Sequence, residues 1–221
     1  MRTIAVIARK GGSGKTTVAV HLAIAAHLRG FGALLADADP QRSSSDVLKG
    51  RRAPGPDVQE TCGARLYSLQ MSAVRSGVDA LVIDTAAGAE DELAHAIVLA
   101  DLSLLVIRPT FLDFAAAIRT VDVIRRLRRP GMIVLNQAPP SREGVEPPAV
   151  KKAQEALRLM RVPVAPVILR ARAAYQSALE CGCSAEEIDR DGAASAEVAE
   201  LWGFVERFAF GKTDHRQELR A

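Results

Sequence analysis

Short apolar runs and longer stretches with apolar residues at helical spacing alternate along nearly the whole chain. The runs predict strands near 3–8, 33–37, 65–69, 79–84, 102–107, 131–136 and 164–169. The stretches 16–30 and 113–129 read as helices, stopped by Gly30 and by Pro130-Gly131. Further helices are expected near 90–100, 147–161, 173–181 and 192–209. Strand alternating with helix in this way predicts an α/β fold, a mostly parallel twisted sheet with helices on both faces.

One region resists the pattern. Between 38 and 64, Ser43-Ser44-Ser45 and Arg51-Arg52-Ala53-Pro54-Gly55-Pro56 offer little apolar surface, and a mobile loop is the expectation there. Only about nine residues separate the runs at 65–69 and 79–84, too few for a long crossover helix. The stretches 53–56 and 138–148 read as surface loops rather than linkers, and the polar segment from Lys212 reads as a frayed tail. The expected organisation is one domain over 1–211 and a tail over 212–221, consistent with a length of 221 residues.

Between the first strand and the first helix stands Lys10-Gly11-Gly12-Ser13-Gly14-Lys15-Thr16. Three glycines let the backbone curl so that successive N–H groups converge on phosphate oxygens, and the following helix directs its positive end to the same point. Lys15 suits the β and γ phosphates and the Thr16 hydroxyl suits Mg²⁺. The usual loop begins with a glycine where this chain has Arg9, and it carries an additional lysine, Lys10.

Two strands end in carboxylates. Asp37 and Asp39 in Leu34-Leu35-Ala36-Asp37-Ala38-Asp39-Pro40-Gln41 share a face, because strand side chains repeat every two residues. At the carboxyl end of a parallel strand such a pair can hold Mg²⁺ or orient a water toward a γ-phosphate, or it can cap the next helix. The run Asp79-Ala80-Leu81-Val82-Ile83-Asp84 places one acid, Asp84, at the same end, where phosphate-loop proteins keep a second contact to Mg²⁺.

These segments, with Val82-Ile83-Asp84-Thr85, Arg108-Pro109-Thr110-Phe111-Leu112-Asp113-Phe114 and Arg172-Ala173-Ala174-Tyr175, resemble the ParA/MinD group of P-loop ATPases. The likeness is to the short ParA-like partition ATPases that lack an N-terminal DNA-binding extension. It implies that Lys15 binds phosphate, that Thr16 ligates Mg²⁺ and that Lys10 reaches the nucleotide of a partner subunit in an ATP-bound homodimer. It further implies that Asp39 positions the attacking water and also serves the metal, that Asp84 lies behind the metal, and that Gly11, Gly12, Ser13, Gly14 and Thr17 complete the cradle. Asn136 falls where relatives contact adenine. After Asp84 the chain reads Thr85-Ala86-Ala87-Gly88, where the family commonly has Thr-Pro-Pro.

The resemblance implies ATP hydrolysis to ADP and phosphate, nonspecific DNA binding in the ATP state, a ParB-like adaptor that stimulates hydrolysis, and DNA partition. Positioning of another cargo, such as a conjugation or secretion complex, would use the same chemistry. A carboxylate-activating biosynthetic enzyme would also need an acid-recognition constellation, and the sequence presents none.

Composition adds partners and compartment. The net charge is only +3, yet of 29 cationic residues six are lysine, which leaves 23 arginines. A small net charge of this kind can hide a basic face. Arg170 and Arg172 precede the helix at 173–181, where similar ATPases present cations to DNA; pairing with Glu180, Glu186 or Glu187 is the competing expectation. The run Arg119, Arg125, Arg126, Arg128, Arg129 reads as a solvated helix face. Val198, Leu201, Trp202, Val205 and Phe208 read as a core-packing helix rather than a membrane-binding one. No apolar run approaches the roughly 18 residues of a spanning helix, and none resembles a secretory signal. Cys62, Cys181 and Cys183 read as reduced thiols rather than metal ligands. The expected setting is cytoplasmic, with association to the nucleoid when ATP is bound and no membrane partner.

Overall fold

The computed structural model describes residues 1–88 and 90–211, so the expected tail at 212–221 lies outside the described residues. The elements run β1 (Arg2–Ile7), α1 (Lys15–Leu28), β2 (Ala33–Asp37), α2 (Ser43–Lys49), β3 (Asp57–Glu60), α3 (Leu66–Arg75), β4 (Ala80–Asp84) and α4 (Glu90–Leu99). They continue with β5 (Leu102–Ile107), α5 (Phe111–Arg126), β6 (Gly131–Leu135), α6 (Pro148–Leu159), α7 (Ala173–Glu180), α8 (Ala185–Ile188) and α9 (Ala193–Phe210). Six strands form one sheet in the order β3-β2-β4-β1-β5-β6, and every pairing is parallel.

Side-chain alternation splits the core into two layers. Ile4, Val6, Leu35, Val82 and Leu104 pack with α1 and α9 on one face, while Ala5, Ile7, Leu34, Ile83 and Leu105 pack with α3, α4 and α5 on the other. Both faces are therefore covered, which is why the inner strands are apolar along most of their length. On α9, Val198, Leu201, Trp202 and Val205 are buried, and the Trp202 ring meets Phe31 and Phe210. Its apolar face belongs to the core, as the sequence reading expected. Among the described residues no helix is long and apolar enough to cross a membrane.

Three expectations are corrected. The run at 65–69 is helical: Leu66, Leu69 and Ala73 are its buried positions, a spacing of three and four rather than two. It belongs to the crossover between β3 and β4, which removes the difficulty of a nine-residue connection. The segment 38–64 contains α2 and the edge strand β3 rather than a mobile loop. β3 is mostly exposed, so it lacks an apolar alternation and is specified by main-chain pairing with β2, Leu34 to Asp57 through Asp37 to Glu60. The run at 164–169 follows β6 through isolated bridges, Ile133 to Val164 and, just past the run, Ala138 to Arg170. Pro163 and Pro166 lack N–H donors, so no continuous ladder forms.

Candidate functional site

β1 lies between β4 and β5, and the loop from Ala8 to Gly14 leaves its carboxyl end at the centre of the sheet. A crevice outside the carboxyl ends of the strands at this point is where such sheets take ligands. Gly12 and Gly14 hold φ values of 73° and 86°, left-handed conformations that a side chain strains. Gly14 has a second constraint, because a Cβ there would lie 2.2 Å from Nδ2 of Asn136.

The end of β6 anchors this loop. Asn136 Nδ2 donates to the Ser13 carbonyl at 2.8 Å and Gln137 Nε2 donates to the Gly12 carbonyl at 3.1 Å. With those carbonyls occupied, the N–H groups of Gly11 to Gly14 donate to no carbonyl among the described residues. They form an anion cradle at the start of α1. Gln137 was not singled out by sequence reasoning. Its signal was its place directly after Asn136, together with a φ of 51° visible only in the structure.

The two lysines differ in setting. Lys15 is buried at 6% exposure inside the loop, whereas Lys10 is half-buried and has no ion pair or hydrogen bond among the described residues. Arg108 flanks Gly12, with Nη1 within 3.7 Å of where a Cβ would stand. Its guanidinium is held by both oxygens of Asp113, at 3.3 and 3.1 Å. Thr110 caps α5 by accepting from the Asp113 N–H.

The carboxylates divide their roles. Asp37 is fully buried, and its oxygens accept from Ser45 N–H at 2.9 Å and Asp39 N–H at 3.1 Å. Asp37 is thus tied to the first turn of α2 from the buried strand end, rather than being half of a solvated capping pair. Asp39 lies beyond the strand, half-buried, and accepts from Gln41 N–H at 2.9 Å. Asp84 is paired in register with Asp37 and is equally buried, but among the described residues neither of its side-chain oxygens has a hydrogen-bond partner. Burial pushes its carboxyl up to about 7, against the opposing influence of Thr16, Lys15 and Ser44 nearby. Thr85 follows with its hydroxyl donating to the Val6 carbonyl at 3.0 Å.

An orphaned buried carboxylate beside a hydroxyl and a lysine has the chemistry of a cation's outer support, so these residues fit Mg²⁺ bound together with a phosphate. Among the described residues no group of three His, Cys, Asp or Glu side chains could hold a metal alone.

Thr17, Asn136, Gln137, Arg170, Arg172 and Tyr175 line a neighbouring pocket of about 400 Å³. Arg170 is forked onto Glu146, which it holds below the usual carboxylate range. Arg172 is forked onto Glu197, whose other oxygen accepts from the Tyr175 hydroxyl and the Arg170 N–H. The glutamates weighed in the sequence reading are engaged elsewhere or left apart: Glu186 pairs with Arg29 and Glu187 with Arg51.

Comparison with known proteins places this geometry among relatives. The family model for the CobQ/CobB/MinD/ParA nucleotide binding domain matches residues 4–189. A maintenance of carboxysome distribution protein A from Gloeobacter kilaueensis is 32% identical over 214 residues, 86% of this chain and 95% of that protein. The cell division ATPase MinD of Pyrococcus furiosus superposes with a TM-score of 0.73 at 21% identity, covering 94% of this chain and 99% of that one. Apo McdA from Cyanthece gives a TM-score of 0.76 at 17% identity over 92% and 98% of the two chains.

Proposed function

We propose that this chain, which belongs to the CobQ/CobB/MinD/ParA nucleotide binding domain family and is a P-loop ATPase of the ParA/MinD type, uses ATP-dependent dimerisation to distribute a cargo within the cell. The contrast between buried Lys15 and unpartnered Lys10 carries this reading. A lysine with no partner among the described residues, at the mouth of a phosphate cradle, is available to the nucleotide of a second copy. Hydrolysis would then depend on dimerisation, as it does where an arginine finger is supplied in trans.

In this mechanism Lys15 and the amides of Gly11 to Gly14 hold the phosphates, while Asn136 and Gln137 keep the loop in shape. Thr16, with Asp84 behind it, would hold Mg²⁺, which neutralises charge on the β and γ phosphates when bound. Asp39 orients a water toward the γ-phosphate, and the partner's copy of Lys10 stabilises the charge that develops on the transferred group. Water adds to phosphorus as the bond to the bridging oxygen breaks, giving ADP and phosphate. The base occupies the pocket of Thr17, Asn136 and Tyr175, and Arg170 and Arg172, held by their glutamates, form its wall.

The sequence reading gave DNA partition first and positioning of another cargo as its alternative. The relative named for carboxysome distribution favours the alternative, so we assign a non-DNA cargo, with nonspecific DNA as the track and an adaptor on the cargo that stimulates hydrolysis. Exposed Phe111 and Leu112, 84% and 61% exposed at the phosphate end of α5, provide an apolar surface for a partner.

The test is ATP hydrolysis by the purified protein, alone, with random-sequence DNA, and with DNA plus the product of the neighbouring gene. A low basal rate that rises when both are present supports the reading. ADP release that requires a small carboxylic acid instead would replace it with biosynthetic chemistry.

A further inference from the structure

Four arginines that the nucleotide site leaves unused gather at the opposite end of the sheet. α5 and α6 both terminate there, next to the starts of β5 and β6, around a pocket of about 590 Å³. Arg125, Arg128, Arg129 and Arg161 line it, and among the described residues Asp101 is its one acidic lining residue. Asp101 is committed to Arg2 at 3.2 Å and to the Thr3 N–H at 2.8 Å. Arg125 donates to the Met160 carbonyl and, at 3.5 Å, to that of Arg161, answering the partial negative charge at the end of α6. The side chains of Arg128, Arg129 and Arg161 have no partner among the described residues.

The backbone gives a second, independent observation. Arg128 and Arg161 have φ values of 52° and 48° and directly follow Leu127 and Met160, which close α5 and α6. Helices that end this way favour glycine at that position, because any side chain is strained there. This chain has arginine at both, and the two strained residues line the same pocket.

We propose that this pocket is a second anion site, which binds phosphate groups of a polyanion apart from the nucleotide cradle. Guanidinium groups match phosphate oxygens two at a time, and three unpaired ones in a concave setting would engage a phosphate chain without reading bases. The phosphates come either from a nucleic-acid backbone or from a free polyphosphate. The nucleic-acid source rests on the DNA track proposed above, whereas the free-polyphosphate source does not.

The test compares wild type with the Arg128→Gly/Arg161→Gly double variant, each saturated with Mg²⁺ and a non-hydrolysable ATP analogue so that the phosphate loop is filled. Each is titrated with a short labelled random-sequence duplex across a salt series, and separately with tripolyphosphate. The variant is expected to bind at least tenfold more weakly, and on DNA its plot of log affinity against log salt should be shallower by about 2, near 0.9 for each lost contact. Its melting temperature should equal or exceed that of wild type, because glycine relieves the strain at both helix ends. Binding of the duplex alone identifies a nucleic-acid backbone, and tight tripolyphosphate binding that displaces the duplex identifies the free form. Unchanged binding by the variant, no binding by wild type, or a lower melting temperature in the variant would overturn the proposal. Basal ATP hydrolysis should be equal in the two proteins, so a defect there bears on the nucleotide reading and not on this one.

Discussion

Asp37 and Asp84 stand opposite one another on adjacent parallel strands, both with 0% exposure, yet among the described residues only Asp37 has hydrogen bonds to its carboxylate. A buried charge without a partner destabilises a fold, so Asp84 is retained at a cost that a bound cation can offset. Asp84→Asn should therefore raise the stability of the nucleotide-free protein by roughly 1–3 kcal/mol while weakening Mg²⁺-dependent ATP binding at least tenfold. Chemical denaturation and a nucleotide titration with and without Mg²⁺ measure the two effects. A variant that is less stable and binds normally would remove Asp84 from the metal's support.

The same residue makes a pH prediction together with His21, which is buried at 2% exposure against the Thr17 carbonyl and the edge of Tyr175. Burial pushes His21 down to about 4 from 6.5 and Asp84 up to about 7 from 3.8. The unfolded chain binds more protons at His21 between pH 4 and 6.5, so this contribution is lost as the pH falls. The folded chain binds more protons at Asp84 between pH 3.8 and 7, so that contribution is lost as the pH rises. Each amounts to at most about 1.4 kcal/mol per pH unit, and they oppose one another. Without nucleotide, His21→Leu should lose stability from pH 5 to 6.5, and Asp84→Asn should gain it. Urea melts at the two pH values would show parallel behaviour in both variants if the two groups did not titrate in this way.

Gly14 is constrained twice, by its φ of 86° and by Asn136 Nδ2 lying 2.2 Å from a would-be Cβ. Gly14→Ala should abolish nucleotide binding in a thermal-shift assay and lower stability by about 1–3 kcal/mol. Adding Asn136→Ala removes the collision but not the backbone strain, and it frees the Ser13 carbonyl. The double variant should therefore remain unable to bind; recovery of ATP binding would show that the collision alone matters.

The parts of this molecule that were legible in the sequence are those written in contiguous residues. β1, β2, β4, β5 and β6 announce themselves because both their faces are buried, and Lys15 and Thr16 because the cradle is one short segment. β3 was silent because an exposed Asp57-Val58-Gln59-Glu60 strand is held by main-chain pairing with β2. α3 was misread because Leu66 and Leu69 lie within a run too short to separate a period of two from one of 3.6. The hold of Asn136 on Ser13 spans 123 positions, and the lack of partners at Asp84 depends on what three strands bring together. Neither leaves a local pattern.

The two loop lysines should fail in different ways. Lys15→Ala removes the buried phosphate contact and should abolish ATP binding. Lys10→Ala leaves the cradle intact and should retain ATP binding while reducing hydrolysis on the order of 10³-fold or more, the scale of a cation supplied in trans. Mixing Lys10→Ala with the hydrolysis-defective Asp39→Ala separates the roles further. A mixed dimer has one competent site, so activity should reappear in the mixture although neither variant is active alone. Continued silence of the mixture would mean that Lys10 acts within its own chain.

Arg172 offers a choice between stability and DNA contact that a measurement can decide. Its fork with Glu197 is part of a group that also includes the Tyr175 hydroxyl and the Arg170 N–H. The Arg172 side chain is 32% exposed and that of Glu197 12% exposed, so solvent screens the pair only in part. Arg172→Ala should cost about 1 kcal/mol, discounted from the 3–5 kcal/mol of a fully buried broken pair, and lower the melting temperature by roughly 2–4 °C. Glu197 keeps two donors after the change, which limits the loss. Because Arg172 is already satisfied by Glu197, the slope of log DNA affinity against log salt should be unchanged in the variant. A slope shallower by about 1 would mean instead that the arginine leaves Glu197 for a phosphate, and would return this wall of the nucleotide pocket to the DNA interface that the sequence alone led us to expect.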